Sequence, residues 1–432
     1  MTSGLIVKLF GYWLLVSLIS NDTTNYGAIP IGINLRPDRL FYGAMVVAFF
    51  AYNRSSRRHI RFIFEEKLMV IFFLVLFFSL IIGGATAAHS NRYISKLFSF
   101  SFVPASLFMM ARRLDIDADC IKILWRFCVV LGLYLGFTGL CEHYGVDSLV
   151  FPKYILDNSV GIHFGRVRGP FVQAVVMGGA LVMVGLFIVW YHYNFSKSFV
   201  TWIVLFPVLA STYFTETRAV WLQLGVSIGI LGLFRNRLRK PVIAMVLLIV
   251  LIFFSGMASN FSAYRVSLFK KRDAQIDDRI NIYYASWRMF VARPIAGFGY
   301  GSYESKSDDY FVQLDGVELR GQGEGQHHTI LGLMCETGLL GTVPYVMILL
   351  LFLRKSYFRY LETKRLASYH ASLALITLSM VAGCIVSMQF SDFGFYNFLN
   401  NVMFWFCGIS YNPGIQRVAV PLEQSISPRA AS

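Results

Sequence analysis

Apolar stretches of about 15 to 25 residues recur from one end of the chain to the other, and nothing else constrains the fold as strongly. A run of that length crosses the hydrocarbon of a bilayer as a helix, because backbone groups there find no water and must pair within the segment. The runs fall at 4–20, 38–53, 67–88, 94–111, 122–141, 171–191, 199–214, 218–234, 241–258, 329–353, 368–389 and 396–411. They predict an all-α polytopic integral membrane protein with about twelve transmembrane helices, a single membrane domain over 1–432. Hydrophobic residues make up 56% of the chain and charged ones only 15%, which excludes an ordinary soluble enzyme. Lys8 interrupts the first run and no small-residue cleavage site stands near Ser20, so that run reads as a retained span.

The net charge of +15 sits mostly in short clusters between the runs, where it marks topology and not nucleic-acid binding. Arg54, Arg57, Arg58 and Arg61 follow the second span, Arg112 and Arg113 the fourth, and Arg235, Arg237, Arg239 and Lys240 the eighth. Arg354, Lys355, Arg359, Lys364 and Arg365 follow the tenth. All fall after even-numbered spans, so the rule that Lys and Arg resist translocation predicts both termini in the cytoplasm.

Two segments on the opposite face exceed simple turns: 142–170 and, before the tenth span, 259–328. The second carries nine Lys or Arg and nine Asp or Glu, and function is expected there. Within it, Asp277 is positioned to cap a helix that Pro294 stops. Ile280, Tyr283, Tyr284, Trp287, Phe290 and Val291 share one face of that helix, which places Arg279 and Arg288 near lipid headgroups if the face lies at the membrane surface. Packing of the same face against the bundle is the other reading.

Soluble-enzyme motifs are absent: there is no Walker loop, no H-E-x-x-H and no G-x-S-x-G. Gly297, Gly299 and Gly301 in PIAGFGYGSY read as tight turns, and the pairs Asp277-Asp278 and Asp308-Asp309 as a cap and a solvated loop. Six scattered cysteines show neither a CxxC pair nor metal-ligand spacing, so no disulfide framework, metal or cofactor is expected.

The arginines on the loop face point to an anion. Arg166 and Arg168 (GRVRGPF) precede the sixth span, and Arg218 (TETRAVW) sits in a short turn with Glu216 two residues away. A guanidinium at membrane depth is costly unless it pairs, and its planar fork matches a diphosphate as well as a local carboxylate. His327 and His328 follow GQGEGQ and open the tenth span; an imidazole, whose ordinary pKa is about 6.5, suits a base that accepts a proton from a sugar hydroxyl. Glu336 is half a helical circumference round from His327 and roughly 13 Å deeper, so it reads as structural. His163, beside Arg166, is a further histidine of interest.

Four segments together carry a resemblance: DDRINIYYASWRMFVARPIAGFGYGSY and HHTILGLMCETGLLG across 277–341, RVRGPF, and TETRAVWL. They resemble the bacterial O-antigen ligase and Wzy-type polysaccharide polymerase family, with its pattern of R, aromatic, P-x-x-G-x-G, H-N-x-x-L and E-x-G-L-x-G. The resemblance implies a glycosyltransferase of the inner membrane, working without metal or nucleotide at the periplasmic face. Its donor would be an undecaprenyl-diphosphate-linked glycan, and its acceptor a second lipid-linked repeat (polymerase) or lipid A core (ligase); membrane lipid and other polysaccharide export components are further partners it suggests. It implies His327 as the base and Arg168, Arg218 and Arg279 as diphosphate ligands, with Arg166 and His328 beside them. The chain departs from the pattern twice: His328 replaces the Asn of H-N, which leaves both imidazoles open as the base, and Gln173 stands where an Asn usually closes the motif after the arginine. GFGYGSY leans the reading toward polymerase. A transporter or flippase is the alternative of another class, but no internal repeat supports it.

Overall fold

A computed structural model describes residues 2–20, 29–31, 33–56, 61–83, 90–162, 165–195, 199–234, 264–364, 369–394 and 397–412. Its helices are α1 (Ser3–Ile19), α2 (Pro37–Ser56), α3 (Phe64–Ile82), α4 (Ser90–Leu97), α5 (Val103–Arg113), α6 (Ala118–His143), α7 (Ala174–Asn194), α8 (Val200–Phe214), α9 (Arg218–Phe234), α10 (Tyr264–Ala292), α11 (Thr329–Thr363), α12 (Tyr369–Ser387) and α13 (Asn397–Ser410). A π turn over Phe98–Phe102 joins α4 to α5. Two short antiparallel strands, β1 (Ile29–Ile31) and β2 (Ile33–Leu35), separate α1 from α2.

This helical fold is consistent with a polytopic membrane protein. Among the described residues, four helical stretches are long and apolar enough to cross a membrane: Arg92–Arg113, Ala118–His143, Ala174–Asn194 and Thr329–Thr363. Ser3–Ile19, Val200–Phe214, Arg218–Phe234 and Ala371–Ser387 are shorter apolar helices. The run at 241–258 and the charged cluster at 235–240 lie outside the described residues, as does His163. α3 stops at Ile82, short of the predicted end at 88, and there Gly83 meets the backbone of Gly299 so closely that a Cβ would lie 2.6 Å from its Cα.

Among apolar helices in lipid, close backbone approach does the work that the hydrophobic effect does in water. Gly132, Gly136 and Gly139 form a strip on α6 that receives α8: a Cβ on Gly136 would lie 2.9 Å from the backbone of Pro207 and Val208. Ser211 Oγ donates to the Gly136 carbonyl at 2.7 Å across the same seam. α7 is apolar on every side and is buried on every side, which places it at the centre of the bundle.

The two ends of the bundle differ chemically. At one, the fully buried Glu66 accepts from both Arg112 (2.9 Å) and Arg113 (2.9 Å), Arg112 donates to the Arg61 carbonyl (2.9 Å), and Arg359 donates to Asn412 O (2.9 Å). Asn412 in turn donates to Ala111 O at 3.1 Å, so described members of three basic clusters gather there. The other end carries His327 and the glycine turns.

Candidate functional site

The core of the site is a clamp between the α10–α11 connection and a kink in α11. Gly338 adopts φ 59° and ψ −155°, a conformation reserved for glycine, and breaks α11 a little more than two turns from its start. The chain after Pro294 fills the break. Leu339 and Leu340 donate to Pro294 O (2.8 Å) and Ile295 O (3.1 Å), while Phe298 and Gly299 donate to Cys335 O (3.1 Å) and Glu336 O (2.7 Å). Backbone approach is so close that a Cβ on Gly297 would stand 2.4 Å from Glu336, and one on Gly338 the same distance from Ile295 O. The carboxylate of Glu336, buried in the clamp, accepts the Tyr303 N–H at 3.2 Å and that of Gly301. The G-x-G-x-G run is therefore a set of turns, with Gly297, Gly299 and Gly301 all at positive φ, and Glu336 holds them.

Above the clamp stands the N-terminus of α11. His328 is its N-cap: Nδ1 accepts the Leu331 N–H at 3.2 Å, so the proton of the neutral ring lies on Nε2. Burial holds its pKa below the ordinary imidazole value, against the opposing effect of hydrogen bonds at its own backbone and at Gln389. The helix cap thus occupies Nδ1 of His328. His327 is half-exposed, its N–H bound to Gln326 Oε1 (2.8 Å) and its Nε2 3.5 Å from Glu324 Oε2. Thr329 fixes the pair to the segment before α13: its N–H donates to Met388 O (3.0 Å), its hydroxyl donates to Ser391 O (2.7 Å) and accepts from Phe393 N (3.0 Å).

α10 starts at Tyr264, upstream of the predicted cap, so Asp277 lies inside the helix, where it accepts the Glu318 N–H at 3.4 Å. The helix does end before Pro294. Its exposed apolar stripe is narrower than predicted: Ile280, Tyr284, Trp287 and Val291 are exposed, whereas Tyr283 turns inward, donates to Gln389 O (3.1 Å) and sets its ring edge-on to His328 at 5.5 Å. Arg279, exposed, acts on Tyr283 through its charge, so Arg279, Tyr283 and the two histidines form one neighbourhood.

The remaining arginines form a second group. Val167 donates to Phe214 O at 3.2 Å, which joins the Arg166–Arg168 segment to the end of α8, four residues before Arg218. Arg218 is exposed at the first position of α9, after a turn in which Glu216 takes φ 47°. Arg166 is half-buried. Arg168 is only 3% exposed, and its guanidinium donates to Val160 O (2.7 Å), Ile155 O (2.7 Å) and Asp157 O (2.9 Å). Glu142 braces the same loop by accepting from Arg168 N (3.1 Å) and Gly169 N (2.9 Å). In this geometry Arg168 organises its own loop through three carbonyls. Gln173 caps α7, accepting the Val176 N–H at 2.8 Å, and Phe171 packs on Phe398 at 5.1 Å.

Further groups absent from the sequence-based site gather beside it. Lys96, buried in α4, donates to Asp392 Oδ2 at 3.0 Å, and its ammonium lies 5.5 Å from the centre of the Tyr300 ring. Lys96, Glu336, Tyr93, Tyr303, Glu304 and Gln326, the residue before His327, line one small polar cavity. Glu304 closes its rim through Arg92 (3.2 Å) and Tyr93 Oη (3.3 Å). A lone lysine inside an apolar run was the available signal, since an ionisable residue at membrane depth marks function by default.

A bundle of apolar helices, four of them long and apolar enough among the described residues to cross a membrane, defines the class as a polytopic membrane protein. Residues 203–346, a third of the chain, match the O-antigen ligase family, which supports membership of the O-antigen ligase and Wzy-type family. The matched segment runs from α8 through the clamp and the N-terminus of α11. No curated protein matches the chain.

Proposed function

We propose that the protein is a glycosyltransferase that takes glycan from an undecaprenyl-diphosphate carrier at the periplasmic face of the bacterial inner membrane and polymerises lipid-linked repeats. The observation that carries this reading is the division of labour at the α11 N-terminus. His328 Nδ1 is committed to the helix, which leaves His327, half-exposed and beside Glu324, as the base. Glu324 can accept the Nε2 proton and so leave Nδ1 to face an acceptor hydroxyl. His327 takes that proton, the acceptor oxygen attacks the anomeric carbon from the face opposite the diphosphate, and the bond to the diphosphate oxygen breaks with inversion. No metal is needed where Arg218, Arg279 and Arg166 meet the charge that develops on the leaving group, and fixed cations in a low-dielectric site are among the largest catalytic terms. The basic clusters at the end remote from His327 support a periplasmic site and cytoplasmic termini. The exposed stripe of α10 belongs, in this orientation, at the outer headgroup level.

A second reading, transfer to lipid A core, is favoured by the matched family's description as O-antigen ligases. Purified protein in liposomes, supplied with an undecaprenyl-diphosphate oligosaccharide alone, tests both. A ladder of lipid-linked products spaced by one repeat is the expected result. Transfer only after lipid A core is added assigns the ligase reaction, and no transfer to either acceptor overturns the transferase reading in favour of transport.

A further inference from the structure

We propose that Lys96 and Asp392 form a buried positioning pair that sets the depth and orientation of His327. The inference rests on the transferase reading for its kinetic consequence but not for its structural one.

Two arms run from Lys96 toward His327, one through hydrogen bonds and one through a shared cavity. The first passes through Asp392. Its Oδ2 accepts from Lys96 Nζ at 3.0 Å and its Oδ1 from Gly394 N at 2.7 Å, which gives the segment between α12 and α13 its shape. Flanking residues of that segment grip Thr329, through Ser391 O (2.7 Å) and Phe393 N (3.0 Å), two residues after His327. The second arm passes through Glu336, which shares the polar cavity with Lys96, Tyr303 and Gln326. Glu336 accepts from Tyr303 N at 3.2 Å, and Gln326 holds the His327 N–H at 2.8 Å. Lys96 itself is held by a special local fold. The π turn at Phe98–Phe102 begins two residues after it, and α13 meets that turn through Asn400 Nδ2, which donates to Phe100 O at 3.1 Å. A π turn inserted into an otherwise regular span re-aims the side chains that precede it.

Bulk stability does not account for a pair so placed. Two opposite charges, both nearly inaccessible, return little net stability over apolar residues of the same size. What an ion pair supplies that apolar contacts lack is direction: one register between α4, the α12–α13 segment and the start of α11.

The double variant Lys96→Met with Asp392→Asn separates these roles, because it removes both charges together while the Asn oxygen still accepts from Gly394. Hydrogen exchange on the full chain in nanodiscs reads the structural consequence. Amides of residues 326–331 should exchange on the order of ten-fold faster than in wild type, with exchange in α7 and the thermal midpoint unchanged. In the liposome assay kcat should fall about 100-fold with the donor KM unchanged, as expected for a misplaced base. Lys96→Arg, which keeps the charge, should retain most of the wild-type rate. Wild-type exchange at 326–331, or uniform loosening of the whole bundle, overturns the proposal. If the wild-type protein transfers no glycan, the functional reading fails while the exchange result still decides whether the pair positions His327.

Discussion

His328 and Gln173 both stand where the family pattern has asparagine, and both do what asparagine does at a helix start. Each precedes an apolar helix whose first N–H groups lack partners, and each lends an acceptor to the N–H three residues on, at 3.2 Å and 2.8 Å. The departures that left the site ambiguous in the sequence thus conserve one physical task, which was legible only once the helix starts were placed. His328→Asn should therefore keep the cap. It should also remove a pH dependence. The folded-state pKa of His328 lies below its ordinary value of 6.5, so its neutral form contributes stability that is complete above that pH and is lost as pH falls toward the lower folded-state value. Thermal unfolding in detergent should show wild type losing stability below about pH 6.5 relative to His328→Asn. Parallel curves would refute the cap assignment. Gln173→Ala should cost about 1 kcal/mol at any pH, the usual value of a lost N-cap.

At the scale of elements, two glycine devices decide geometry. The strip on α6 is a packing surface, and Gly136→Val should drive a side chain into the α8 backbone and destabilise the bundle by about 1–3 kcal/mol, measured as a lower thermal midpoint. The clamp at Gly297 and Gly338 is a different case. Ala at 338 forces a Cβ toward Ile295 O in a backbone conformation closed to other residues, so Gly338→Ala should abolish transfer even where the protein still inserts and folds. Wild-type turnover in that variant would remove the clamp from the account. The apolar stripe of α10 continues through the exposed Ile295 to Leu340, Val343, Met347 and Leu350 on α11, a face suited to lipid. Nitroxides at Val291→Cys and Trp287→Cys should be relaxed by oxygen more than by a water-soluble nickel chelate, and a label at Gln322→Cys should show the reverse. Equal accessibility at all three sites would place the stripe away from the bilayer. Helical period and the stop at Pro294 were readable in α10, but its inward face was not. Tyr283 and Ile280 share a sequence-derived face, and only the contact of Tyr283 with Gln389 separates them.

For the whole molecule, the apolar runs within the described residues fall on helices because length and hydropathy are local properties. Convergence is not local. Lys96 and Asp392 are 296 positions apart, and nothing in either segment names the other. The arginines likewise divide into two neighbourhoods, one at Arg279 with the histidines and one at Arg166, Arg168 and Arg218, and the burial of Arg168 under three carbonyls follows from a loop path that spacing does not encode. The central claim is that His327 activates a sugar hydroxyl against a lipid diphosphate. The most direct test is the rate of glycan transfer by His327→Ala in liposomes, beside wild type and with donor binding measured separately. Loss of about 10²- to 10⁴-fold in kcat, with donor affinity and thermal midpoint unchanged, is the predicted result for a general base. Transfer at the wild-type rate would contradict it.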